Sequence, residues 1–407
     1  MPAEAPTPVH RLLGGGVRAA SAAFLRLPWY VQVLALWAGA RAFSAAVFLA
    51  VAARQGENPW WGPSPGYLEF VDIWDSEWYR RIHDGGYPST VPRAADGTAM
   101  ENEWAFYALF PLVVRLVTSL GLGWSAAGAL VATACGFGAA LLIYRLFRLR
   151  AGHGDALWGT ALVAVLPVSP ILQVPYAESL NLLLLAAALY LLVGGRYLAA
   201  VPVVALMCLS RPVGVPFAAA VGIFFVVRWL RRGRTPFPWP QAWRLGLLAV
   251  FSCAAALAWP VLAWLGTGDL LAYTDTEAAW RGGNLVPFRP WLDMAGLLFG
   301  GAGPAVLGLL VVLGALAFTS APVRRLGPEL ALFCACYALY LFVFLNPQTS
   351  TFRLLLPLFP LALAAVTLSS SRAYRWSLVG ACLALQVVWV TWLWRFTALP
   401  GGGDYPP

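Results

Sequence analysis

The chain has 407 residues, 60% of them hydrophobic and 11% charged, where soluble domains run to roughly 45–50% and about 25%. So thin a polar skin cannot cover one globular core, which excludes a soluble enzyme, a disordered chain and a disulfide-rich secreted domain. The formal charge of +9 comes from 27 basic residues, all arginine, and in a chain this apolar it reads as loops facing anionic lipid rather than as nucleic-acid binding.

A membrane-crossing helix needs about 20 apolar residues. In chain order the predicted spans are 29–53, 125–147, 156–172, 180–194, 199–209, 213–230, 243–265, 295–318, 329–345, 354–368 and 376–395. They define an all-α polytopic membrane protein of about eleven transmembrane helices, with interfacial helices in the first outer loop. The two short spans at 199–209 and 213–230 hinge at Ser210-Arg211-Pro212. Residues 1–28 form a cytoplasmic N-terminal segment, 29–396 a single transmembrane domain, and 397–407 an outer tail. Within the domain, 54–124 is the candidate catalytic outer loop and 266–294 a second outer loop.

Orientation follows from arginine placement. Arg11, Arg18 and Arg26 precede the first span, and Arg145, Arg148, Arg150, Arg196, Arg228, Arg231, Arg232, Arg234, Arg324, Arg325, Arg372 and Arg375 fall on the same side by parity. Nearly every carboxylate falls on the other. The expected location is therefore the inner (plasma) membrane, with the N-terminus cytoplasmic and the acidic loop extracytoplasmic. Ala50-Val51-Ala52 fits a small-x-small cleavage rule, but the apolar run before it is too long for a signal peptide and contains Arg41, so it is read as a retained span. Arg41 and Arg115 are expected to pack against neighbouring helices. Residues 105–120, interrupted by Pro111, break the parity and are read as an interfacial or re-entrant helix. The six cysteines sit in apolar runs as small core residues.

The stretch Phe70–Pro88, FVDIWDSEWYRRIHDGGYP, carries most of the chemistry. It predicts a helix from Asp72 to the Gly85-Gly86 stop, with Asp72, Asp75, Tyr79 and His83 on one face and Trp74, Trp78 and Ile82 on another. Plain capping accounts for both acids one by one: Asp72 as an N-cap and Asp75 in the first turn. It does not account for the gathering of acids and aromatics in one loop of an acid-poor chain. Tyr176, Glu178, Arg211, Arg281 and Arg353 lie at the outer ends of spans or in the second loop. Each arginine alone suits a helix-end anchor, whereas several facing one acidic loop suit a phosphate held near the membrane surface. No metal site or cofactor motif is present in the sequence.

Trp74-Asp75-Ser76, Trp78-Tyr79, Gly86-Tyr87, Ala105-Phe106-Tyr107, Phe110-Pro111-Leu112, Pro175-Tyr176-Ala177-Glu178-Ser179, Ser210-Arg211-Pro212 and Arg353-Leu354-Leu355-Leu356-Pro357 occur in that order. Together they resemble the landmarks of the GPI mannosyltransferase II (PIG-V type) family, membrane glycosyltransferases of the GT-C type. The arginine-only, Ala/Gly/Leu-rich composition suggests a GC-rich, actinobacterial-looking member. Pro212 departs from the eukaryotic pattern, and a GPI acceptor is not expected.

The resemblance implies inverting transfer of mannose from polyprenyl-phosphate-mannose to a lipid-linked or cell-envelope glycan acceptor on the extracytoplasmic face, without a cofactor. Asp75 is then the general base, with Asp72 in reserve. Arg211, Arg353 and Arg281, with Tyr79, His83, Tyr176 and Glu178, would bind the donor phosphate and substrate, although His83 by itself reads as a satisfied structural histidine rather than a proton carrier. The partners expected are the donor, the acceptor and membrane lipids, with no nucleic acid. Two rivals stay open: a lipid or glycolipid transporter (flippase) and a non-catalytic scaffold.

Overall fold

The computed structural model describes residues 22–281, 283, 286–399 and 407. Arg11, Arg18 and most of the expected C-terminal tail lie outside the described residues. Within them the chain is helical, with a single antiparallel bridge between Arg93 and Ala99 as its only extended pairing.

Five helical stretches are long and apolar enough to cross a membrane: Trp29–Ala52, Trp124–Arg148, Trp239–Thr267, Arg289–Phe318 and Arg372–Trp394. Shorter apolar helices Glu178–Val193, Tyr197–Cys208, Gly214–Leu230 and Pro328–Phe344 pack between or beside them. Most predicted spans coincide with helices to within a few residues, and three do not. The span expected at 156–172 ends as a helix at Val165, because Pro167 forces Leu166 into extended backbone; a 3₁₀ turn, Ser169–Gln173, follows. The span expected at 354–368 is a 3₁₀ segment, Thr349–Leu358, and a helix, Pro360–Thr367, meeting at 79°. Pro357 and Pro360 supply no amide hydrogens there to continue a helical ladder. The span expected at 295–318 is broken at Gly300, whose φ is +56°, and Gly303 lies against the backbone of Ala295 and Gly296, where any Cβ would clash at 2.5 Å.

Polar groups key the apolar helices together. The Arg41 guanidinium, fully inside the bundle, donates to the Ala164 carbonyl (2.7 Å) and the Ser169 hydroxyl (2.9 Å). Gln386 joins that hydroxyl to Ser44. Arg41 is thus packed between helices, as expected, with its terminal nitrogens bonded and its Nε without a partner. Among the cysteines Cys253 is exposed on its helix and the other five are wholly or partly buried. At the arginine-rich end of the bundle, Arg150 pairs with Glu329 (2.6 Å) and Arg375 with Asp155 (2.6 Å), so even the few acids there serve as staples between connections.

At the opposite end sits the loop after the first helix. Leu109–Thr118 is a helix of 10 residues, at about 1.5 Å per residue too short to cross a bilayer. Pro111 does not interrupt it: it lies in the first turn, where amide hydrogens have no intrahelical partner in any case. Arg115 crosses from this helix to donate to the carbonyls of Ile82 and His83, closing the C-terminal end of the neighbouring helix Asp75–Gly85.

Candidate functional site

Helix Asp75–Gly85 begins three residues later than the sequence pattern predicts. The reason is Trp74, held at φ +57° and ψ −124°. Ser76 N–H donates back to the Ile73 carbonyl (3.3 Å), which makes Ile73–Ser76 a tight turn with a tryptophan where glycine is normally required. Trp74 is therefore off the helix, and the predicted two-face arrangement does not form as drawn. Its buried ring packs with Trp60 and Phe396, and its indole donates to the Trp394 carbonyl (3.1 Å).

That turn separates the two acids. Asp72 is 3% exposed and accepts from the Ser76 hydroxyl, the Trp124 indole (3.0 Å) and the Ser125 hydroxyl (2.6 Å), with Arg80 at 3.9 Å. Asp72 is not the helix N-cap, since the cap is Trp74 and makes no side-chain bond; it is an anchor between the loop and the start of helix Trp124–Arg148.

Asp75 has different company. As first residue of its helix it meets Arg353, whose Nη1 donates to its carboxylate (2.5 Å) and also lies 3.5 Å from Glu178. Glu178 opens its own helix, Glu178–Val193, and is ion-paired with Arg211, which precedes helix Gly214–Leu230. Two carboxylates and two guanidiniums form a neutral, buried quartet from four elements distant in sequence. The second oxygen of Glu178 has no hydrogen-bond partner, nor has Nε of either arginine. Three of the four, Glu178, Arg211 and Arg353, line a small cavity of about 40 Å³. Its remaining wall includes Asn181, Leu182, Leu185, Val213, Tyr337 and Leu356. The cavity is polar at the quartet and apolar beyond it.

Tyr176 closes the quartet from above: the Arg353 guanidinium lies over its ring at 5.5 Å, and its hydroxyl accepts from Asp75 N–H (3.0 Å). Tyr79 is buried against Phe106 and Phe110. Burial pushes its phenol well above the ordinary range; Arg211 opposes the shift while Glu178 and Asp75 add to it. Tyr79 thus stays protonated at neutral pH.

Two predicted site residues are elsewhere. His83 bonds Asp84 (2.7 Å) and Thr118 (2.9 Å), on the far side of the loop helix. Arg281 pairs with Glu277 (2.7 Å) and the Phe344 carbonyl, beside a second cavity lined by Arg289, Asp293 and Leu297. Conversely, Trp124, Ser125 and Trp394 were not legible as site supports. Each acts from a distant segment, and nothing in local spacing marks them.

No protein-family model matches the chain, and no curated protein matches it. Among solved structures it is similar to ArnT from Cupriavidus metallidurans bound to undecaprenyl phosphate, at 14% identity over 84% of this chain and 62% of that one, with a TM-score of 0.49. It is also similar to the archaeal oligosaccharyltransferase AglB from Archaeoglobus fulgidus, in complex with an inhibitory peptide and a dolichol-phosphate, at 15% identity over 90% of this chain and 55% of that one, with a TM-score of 0.44. The chain spans little more than half the length of these two proteins.

Proposed function

We propose that the protein is a membrane glycosyltransferase of the GT-C type. It moves mannose from polyprenyl-phosphate-mannose to a lipid-linked or cell-envelope glycan acceptor on the extracytoplasmic face of the membrane, with inversion. The observation that carries this reading is the ion-paired quartet of Asp75, Glu178, Arg211 and Arg353, three of which line a cavity whose remaining wall is mostly apolar. A lipid phosphate is the ligand whose two ends match those two environments. Helices Glu178–Val193 and Gly214–Leu230 both start at the cavity, so their amide ends add to the attraction for an anion.

The chemistry follows from charge. Attack by an acceptor hydroxyl on the anomeric carbon breaks the bond to the phosphate oxygen, and the departing polyprenyl phosphate gains one negative charge. Arg211 and Arg353 are fixed where that charge develops. The hydroxyl proton passes to the Asp75 carboxylate, a step worth about 10²–10⁴-fold. A phosphate arriving at the guanidiniums competes for Arg353, which now grips Asp75. Donor binding thereby frees the carboxylate to accept a proton, so the donor enters before the acceptor. The free oxygen of Glu178 suits a sugar hydroxyl rather than the phosphate.

The test is transfer of labelled mannose from polyprenyl-phosphate-mannose to a panel of acceptor lipids by purified protein in detergent. Label in an acceptor supports the proposal. Movement of the intact donor across a vesicle bilayer, with no transfer in detergent, replaces it with a flippase.

A further inference from the structure

Asp75 occupies its place only because the turn before it holds an unfavourable shape. A bulky aromatic at φ +57°, ψ −124° is a backbone outlier that the surroundings must enforce. One side chain reaches both peptide groups that flank Trp74. The Tyr176 hydroxyl accepts from Asp75 N–H at 3.0 Å and donates to the Ile73 carbonyl at 3.2 Å. Both capacities of the phenol, one donor and one acceptor, are thereby used within the protein. Its ring is fully buried, with the Trp394 ring at 5.5 Å on one side and the Arg353 guanidinium on another. A hydroxyl so engaged has nothing to offer a substrate.

We infer that Tyr176 is a positioning residue: its hydroxyl clamps the Ile73–Asp75 turn across Trp74 and so sets the carboxylate of Asp75 against Arg353, which lines the cavity. This differs from a substrate-binding role for the tyrosine, and it rests on the reading of Asp75 as the proton acceptor. Because the same ring lies against Arg353, one residue fixes the spacing between the acid and the group that grips it. A displacement of the carboxylate by about 1 Å is enough to cost about 100-fold in rate.

The variant is Tyr176→Phe, which keeps the ring and removes only the clamp. The expected result is a kcat lower by about 10- to 100-fold with a donor KM within about threefold of the parent, and faster hydrogen exchange in peptides covering residues 73–79. Tyr374→Phe removes a tyrosine-to-carbonyl bond outside the site (Tyr374 to Ala365, 3.0 Å) and controls for a purely structural loss. It should leave kcat and the exchange of 73–79 unchanged. A Tyr176→Phe protein with unchanged exchange at 73–79, or with raised KM and unchanged kcat, overturns the inference. If Tyr176→Phe does not fold, the unsubstituted protein still decides. Its Asp75 amide should exchange as slowly as amides within helix 75–85, and exchange as fast as in the loop at 88–100 refutes the clamp. Asp75→Asn separates the two readings. Full turnover in that variant removes Asp75 as base, whereas the exchange data report on the clamp whatever Asp75 does.

Discussion

Asp72 and Asp75 lie three positions apart in one loop, both nearly inaccessible, and they are built for opposite ends. Asp72 is held by neutral donors, two hydroxyls and an indole, with its one cation at 3.9 Å and half exposed. Asp75 is held by a guanidinium that is itself shared with Glu178 beside a cavity. Neutral donors fixed by packing cannot leave. A shared ion pair can be traded for another anion, and that exchange is what a reacting carboxylate requires. Buried carboxylates are therefore told apart less by burial than by whether their partners are replaceable.

The widest separation between the two acids should appear on neutralising each. Asp75→Asn is expected to reduce transfer by about 10²–10⁴-fold while the protein still folds; near-normal turnover would erase the contrast. Arg353→Lys keeps the charge but loses the planar guanidinium that lies over Tyr176 and places one Nη1 between two acids, and kcat/KM for the donor should fall by about 10–100-fold. A loss confined to stability would instead place Arg353 with the staples. Asp72→Ala removes the acceptor of the Ser76 and Ser125 hydroxyls, while the Trp124 indole keeps Ser76 (3.2 Å), and should cost about 1–3 kcal/mol of stability, read as a lowered melting temperature. Turnover per folded molecule should stay within about threefold, and a collapse of kcat without loss of stability would transfer the base to Asp72.

The smallest effect concerns Glu77, on the same helix as Asp75. Burial raises the Glu77 carboxyl, but bonds from the Trp60 indole (2.8 Å) and Arg81 outweigh it and hold the group below its ordinary 4.5. A depressed carboxyl adds stability above its unfolded value, and that contribution disappears as the pH falls through the folded one. Melting curves between about pH 5 and about pH 3 should therefore decline less steeply for Glu77→Gln than for the parent. Parallel curves would mean that Glu77 is fully solvated in the folded protein.

Periodicity and apolar length identified the helical character, the hinge at Ser210-Arg211-Pro212 and the loop that carries the acids, because those signals are local. The same locality explains the misses. Proline was read as a breaker at Pro111, where the first turn tolerates it, and passed over at Pro167, where it ends a helix, and at Pro357, which lies within the 3₁₀ segment before the bend. Arg281 and Arg353 look alike in sequence, each beside the outer end of a span. Only the folded arrangement shows that one meets Glu277 and the other Asp75. His83 fell on the expected helix face, yet Thr118 and Asp84 claim both of its nitrogens. The start of the acidic helix was misplaced because a tryptophan in a glycine-type turn contradicts every propensity and is enforced by contacts more than 100 positions away.

The indole of Trp74 rests on the carbonyl of Trp394, 320 positions on, and Trp394 in turn donates to Phe70. During synthesis, a ribosome-bound chain with Asp75, Glu178 and Arg211 already made still lacks Arg353 and the last helical turn on which the indole sits. The pocket can be completed only when the final crossing has been threaded. On the proposed function, copies that lack this last helix are expected to be inert toward activated lipid sugars.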